Sequence, residues 1–141
     1  KISSFYKTRL AKIESEDTIV INFEFNNGAL GIFEATTCLR PTDKEASICI
    51  MGEKGHLEVG GKSLNKFISF DVKGLKEDLN SNSEKIKDLY GNGHKVLYQE
   101  IIENIHKKKK LLISYDSIYY LIKILEKIYF SANNNKILFL K

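Results

Sequence analysis

No apolar run in this chain approaches the ~20 residues a membrane span requires, and no secretory segment is read at its opening. Cysteine is nearly missing. Cys38 and Cys49 make neither a disulfide framework nor a metal pattern, and are expected reduced, in neighbouring strands of a cytoplasmic protein. Proline occurs once, at Pro41 in "LRPTDKEA", so Arg40 to Glu45 is expected to be a surface loop between strands. Histidine occurs three times, at His56, His94 and His106, without a metal-ligand spacing. No Ser-His-Asp or paired-carboxylate arrangement stands out, and Glu34 and Asp43 have no obvious partner. No catalytic constellation and no metal site is read from the chain alone.

The dinucleotide fingerprint is also missing. It requires G-x-G-x-x-G between a strand and a helix, with an acid ~20 residues later. The stretch "LYGNGHKVLYQEIIENIHKKKK" comes nearest, but Val96 stands where the third glycine belongs. The preceding "SEKIKDLY" is no buried parallel strand, and no alternating βαβα pattern appears. What Gly91 and Gly93 do offer is a sharp backbone turn into a helix, with His94 at its start. Free N–H groups there attract phosphate or carboxylate, and Tyr90 and His94 would face a shared ligand. The alternative is a glycine-rich helix entry with His94 hydrogen-bonded to a loop carbonyl.

What is present is an ordinary globular composition: 141 residues, 43% apolar and 28% charged, enough for one domain with a core. The first residue is Lys1 rather than Met, as expected of a processed chain or a piece of a longer one. The net charge of +4 owes much to Lys107 to Lys110. Such a run at a helix end reads as solvated charge opposing the macrodipole. Without interleaved aromatics it is a weak nucleic-acid footprint, and neither nucleic acid nor membrane is expected as a partner.

The first two-thirds reads as strands. Ile19, Ile21, Phe23 and Phe25 alternate with Val20, Asn22 and Glu24; Asn26-Asn27-Gly28 is a tight turn, and Ala29 to Leu39 returns as the second arm of a hairpin. Ser47 to Met51, His56 to Val59 and Phe67 to Val72 read as further strands, and so does Ile2 to Leu10. Gly74 to Lys87 is polar and reads as a long, mobile loop. The last third is helical. Leu97, Tyr98, Ile101, Ile102 and Ile105 form one stripe. A second helix starts near Ser114 or Asp116 and carries Ile118, Leu121, Ile122, Leu125, Ile128 and Tyr129, widened by Tyr120 and Ile124, as if buried on two sides. Asn133 to Asn135 ends it, and Ile137 to Leu140 makes a last short strand. The expectation is an α+β domain spanning 1–141, an antiparallel or mixed open sheet with two helices packed on one face. Apolar residues on the other face would promote self-association.

From about Glu16 onward the chain resembles the C-terminal domain of the glucose–fructose oxidoreductase/inositol dehydrogenase/MocA (Gfo/Idh/MocA) group of NAD(P)-dependent enzymes. The hairpin "NGALGIFEATT", the turn and strands "GEKGHLEVGG", "YGNGHKVLYQEIIENI" and the closing "LIKILEKIYFSANNNK" follow in that family's order. "EATTCLRPTDKEAS" and "YGNGH" resemble most its nucleotide-sugar branch, which oxidises the 3-hydroxyl of UDP-linked amino sugars. The resemblance implies a parent enzyme with an N-terminal Rossmann domain that binds NAD or NADP, carries a Glu-Lys-Pro lysine, and is followed by an Asp-x-x-x-His helix. None of these is in the chain; Glu53-Lys54-Gly55 is only a hairpin turn. The implied role is therefore the substrate-side wall and the homo-oligomer interface through the open sheet face, inactive alone and binding no cofactor, with a UDP-sugar as possible ligand. An autonomous, non-catalytic binding or assembly module derived from the same fold is the second reading. The resemblance carries Tyr90 and His94 over as substrate-side residues. Arg40 would pair with a diphosphate or sugar carboxylate, or else be a solvated loop arginine, and Asn65 in "SLNKF" is a further candidate.

Overall fold

Asn26-Asn27-Gly28 closes the first hairpin as its residue types dictate. Gly28 takes a φ of 86°, its amide donates to the Phe25 carbonyl, and the Phe25 amide donates to the Ala29 carbonyl at 2.9 Å. Asn27 Oδ1 accepts the Ala29 amide, a local bond suited to Asn in turns. In this computed structural model, which describes residues 1–79, 83–88, 90–107 and 113–140, the hairpin joins β2 (Thr18–Glu24) to β3 (Leu30–Thr36). β1 (Ile2–Lys7) lies antiparallel on the other side of β2, giving the order β1-β2-β3.

The remaining strands, β4 (Ile48–Gly52), β5 (Gly55–Gly60) and β6 (Lys66–Val72), form a second antiparallel meander, β4-β5-β6. Both ladders are antiparallel throughout. Two helices follow, α1 (Gly93–Lys107) and α2 (Tyr115–Asn134). The α+β class expected from the sequence is the class observed. The chain divides into two units, residues 1–40 with 112–141, and residues 41–111.

In the first unit α2 packs on β1. The alternation of β2 sends Ile19, Ile21 and Phe23 to the same side as Ile2 of β1. There Ile2, Ile21 and Ile128 form the buried core, flanked by Ile124 and Leu140. Two serines make this contact close. Ser131 Oγ accepts the Ser4 amide at 3.1 Å, and Ser4 Oγ donates to the Ile128 carbonyl at 2.6 Å. The expected last strand is reduced to one bridge, in which Leu138 and Ile2 exchange both backbone bonds. Helix α2 begins at the Ser114 cap, whose Oγ accepts the Ser117 amide, and ends at Asn135 in the left-handed region. It is not buried on two sides: Ile118, Leu121, Ile122 and Leu125 remain half exposed, and only Ile128 and Ser131 are buried.

In the second unit the β5–β6 register shifts between Glu58 and Val59, with Ile68 of β6 the extra residue, and Gly55 turns the β4–β5 connection. No residue of α1 is buried. Its covered side is Leu97, Glu100, Ile101 and Asn104, whereas Ile102 and Ile105 face solvent, a narrower stripe than the apolar pattern suggests. Residues 80–82 of the expected long loop, and Lys108 to Lys110 of the lysine run, lie outside the described residues. The described end of that loop is anchored: Ser83 Oγ accepts the Phe67 amide, and the Glu84 amide donates to the Asn65 carbonyl at 2.8 Å. Both cysteines are free. Cys38 falls just beyond β3 and Cys49 lies in β4, so they do not occupy neighbouring strands as expected.

Candidate functional site

The glycine loop and the start of β6 share one cleft in the second unit, about 510 Å³, lined among others by Asn65, Lys66, Phe67, Glu84, Tyr90, Asn92 and Glu100. The loop is built by Asp88, whose Oδ1 accepts the Tyr90 amide at 2.9 Å. Gly91 then takes a φ of 62°, a region a β-carbon disfavours. A β-carbon there would also meet Ser63 at 3.4 Å. Gly93 opens α1 without a positive φ and with open space around it. Of the two glycines, only Gly91 is dictated by geometry.

Asn65 and Tyr90 line the cleft, and His94 stands edge-on against the Tyr90 ring, centroids 6.1 Å apart. Three of the four candidates are thus brought to one region. Asn65 has a scaffold duty as well: its Nδ2 donates to the Glu84 carbonyl at 2.8 Å and its Oδ1 accepts the Ser63 amide. Arg40 belongs to the other unit. Its Nη1 donates to the carbonyls of Thr37 and Leu39 at 2.9 and 2.6 Å, leaving Nε and Nη2 without a protein acceptor among the described residues. That free edge suits bidentate contact with an oxyanion.

Two cleft residues escaped the reading of the sequence, Glu84 and Asn92. Asn92 Nδ2 donates to Glu84 Oε2 at 3.2 Å. Glu84 lies in a stretch with no periodicity, and only its reciprocal bonding with Asn65 brings it to the helix start. Glycine 91 with Asn92 was the available signal, since Asn directly before a helix is a strong cap signature.

The cleft does not fit a dinucleotide. Helix α1 is entered from a loop rather than a strand, Val96 fills the third glycine position, and the Glu84 carboxylate stands at the entry where a pyrophosphate would lie. Among the described residues no cluster of His, Cys, Asp or Glu is arranged to hold a metal ion, and no helix is long and apolar enough to cross a membrane.

Two antiparallel sheets followed by two helices are the α+β fold of an oxidoreductase C-terminal domain. The chain belongs to the Gfo/Idh/MocA oxidoreductase family, whose C-terminal alpha/beta domain model matches residues 3–139. Among solved structures it is similar to the WlbA dehydrogenase of Bordetella pertussis in complex with NADH and UDP-GlcNAcA. The identity is 25% and the TM-score 0.82, over 99% of this chain and 40% of that one. It is similarly related to the WlbA dehydrogenase of Chromobacterium violaceum, also in complex with NADH and UDP-GlcNAcA, at 26% identity and a TM-score of 0.80, over 96% of this chain and 38% of that one. The chain thus spans about two fifths of each enzyme. No curated protein sequence matches it.

Proposed function

We propose that this chain is the substrate-side, oligomerising domain of an NAD(P)-dependent oxidoreductase acting on a hydroxyl of a sugar or nucleotide-sugar. The observation that carries the reading is the match of nearly the whole chain to one domain of two dehydrogenases solved with NADH and UDP-GlcNAcA. In this reading residues 1–141 act as a single C-terminal domain, and the nicotinamide, the hydride transfer and the general base belong to a Rossmann domain elsewhere in the parent. NAD or NADP binds there and not to these residues. Asn65 and Tyr90 of the cleft and His94 beside the Tyr90 ring are substrate-side residues, and Arg40 is an oxyanion contact of its own unit. The sheet face without a helix pairs with a second copy.

The test is titration of the 141-residue chain with a UDP-sugar, followed calorimetrically, with NADH formation monitored in parallel on adding NAD. Binding weakened by Tyr90→Ala, with no NADH formed, is the expected result. Stoichiometric NADH from the isolated chain would overturn the assignment of chemistry to the Rossmann domain. Absence of any UDP-sugar binding would overturn the substrate-side role.

A further inference from the structure

Helix α2 starts with a serine whose side chain accepts the Ser117 amide at 3.1 Å. Helix α1 starts after Asn92, whose carbonyl accepts the Val96 amide but whose side chain does not cap. Its amide turns instead to Glu84 Oε2, 3.2 Å away. An asparagine that forgoes a cap gives up a stabilising contribution, so its orientation has another determinant.

Glu84 is held in place from the backbone. Its amide donates to the Asn65 carbonyl and its carbonyl accepts Asn65 Nδ2, both at 2.8 Å. With that backbone fixed, Oε2 is committed to Asn92 and Oε1 has no partner among the described residues. Asn92 Oδ1 and its second N–H are equally uncommitted. Together they present two acceptors and a donor at the mouth of the cleft. Two adjacent hydroxyls, each able to donate and accept, complement that pattern.

Tyr90 adds the apolar half of such a site. Tyr90 is 78% exposed, and its ring, braced by His94, offers a flat face to the C–H groups of a sugar ring. Charge points the same way. The Glu84 carboxylate stands beside Asn92 at the cleft mouth and disfavours a phosphate or carboxylate group there despite the helix start.

We infer that Glu84 and Asn92 form a carboxylate–amide pair that binds adjacent hydroxyls of a neutral sugar ring seated on Tyr90. This rests on the substrate-side reading above and assigns the cleft to the sugar rather than to the diphosphate. The test uses the 141-residue chain and calorimetric titration with UDP-GlcNAc, UDP-GlcNAcA and UDP. Wild type should bind UDP-GlcNAc more tightly than UDP. Glu84→Gln and Asn92→Asp should each weaken UDP-GlcNAc by about tenfold, the size of one or two hydrogen bonds to a charged group, and leave UDP unchanged. Asn92→Asp keeps the side-chain size and shape, and an unchanged thermal midpoint verifies that the variants fold. Equal losses for UDP and UDP-GlcNAc, or preference for the uronate over the neutral sugar, would overturn the pair. Unchanged binding in both variants while Tyr90→Ala weakens it would also overturn the pair and leave the substrate-side role standing. No binding of any of the three by wild type would overturn that role itself.

Discussion

Asp17 Oδ2 accepts the backbone amide of Leu10 at 2.7 Å, and in the same bend the amides of Arg9 and Ala11 at 2.8 and 3.0 Å. Its carbonyl accepts the Thr37 amide and the Thr36 hydroxyl. One residue at 2% exposure therefore ties the loop after β1 to the end of β3.

The amides of Leu10 and Ala11, then that of Arg9, favour the ionised carboxyl and hold it well below the usual carboxylate range, against the opposing effect of burial. A folded-state value below the unfolded one stabilises the fold above the unfolded value, and that contribution is lost between the two values as pH falls through the folded one. The contribution should be complete at pH 7 and fade from roughly pH 5 downward. Urea midpoints of wild type and Asp17→Asn, measured at pH 7, 5, 4 and 3, should differ most at pH 7 and by progressively less at each step from pH 5 to pH 3. A difference independent of pH would show that the carboxylate charge is not what ties the loop.

The Ser4–Ser131 pair makes a second prediction. Ser131 Oγ accepts the Ser4 amide and donates to the Lys136 carbonyl at 2.7 Å. Removing it withdraws a partner from two backbone groups at a buried site. Ser131→Ala should cost about 1–3 kcal/mol, and Ile128→Ala, one turn earlier in the core, about 2–5 kcal/mol. Urea denaturation at pH 7 measures both. A Ser131→Ala loss below about 0.5 kcal/mol would mean that water replaces the hydroxyl.

The strands were legible because their signals are local. Alternation at Ile19, Ile21 and Phe23 and the turn residues Asn27 and Gly28 mark β2 and β3 within a few residues of the observed bounds. The Ser114 cap was legible for the same reason. What was not legible depends on distant partners. Asp17 looks like any loop acid until Arg9, Leu10 and Ala11 turn toward it, and Glu84 sits in a stretch without periodicity until Asn65 bonds it. Tyr90 was singled out from the glycine turn and carried over by resemblance, and Arg40 came with the resemblance; neither signal says anything of hydrogen bonding. The helix stripes misled in degree: apolar spacing at Ile102, Ile105, Leu121 and Leu125 reports a face able to be buried, not one covered within this chain.

Two glycines should respond in opposite senses. Gly55 has a φ of 140°, and a β-carbon on it would lie 1.9 Å from the Asp71 carbonyl oxygen. Gly55→Ala must therefore open the β5–β6 ladder or leave its conformation, at about 2 kcal/mol or more. Gly93 has neither constraint, and Gly93→Ala should be neutral or stabilise by up to about 1 kcal/mol. Thermal unfolding of the two variants beside wild type decides. A large loss at Gly93 would mean that an approaching group in the cleft needs its bare backbone.

The proposed pairing of sheet faces is testable at Leu30 and Ile32. They lie on the face of β3 that the register places with Val20 and Phe5, away from α2. They are 80% and 78% exposed, and a contiguous apolar strip of this kind marks an association surface in a soluble protein. A stable pair needs about 800 Å² from each partner, so single substitutions at the rim should do little and a central pair of charges should do much. The double variant Leu30→Lys/Ile32→Lys should sediment as a monomer at high micromolar concentration, where wild type sediments as a dimer or larger. Wild type that stays monomeric under those conditions would remove self-association from the proposed role. A charged variant that still dimerises would move the interface to another face, with Ile48 and Ile50 of β4 the next exposed pair to substitute.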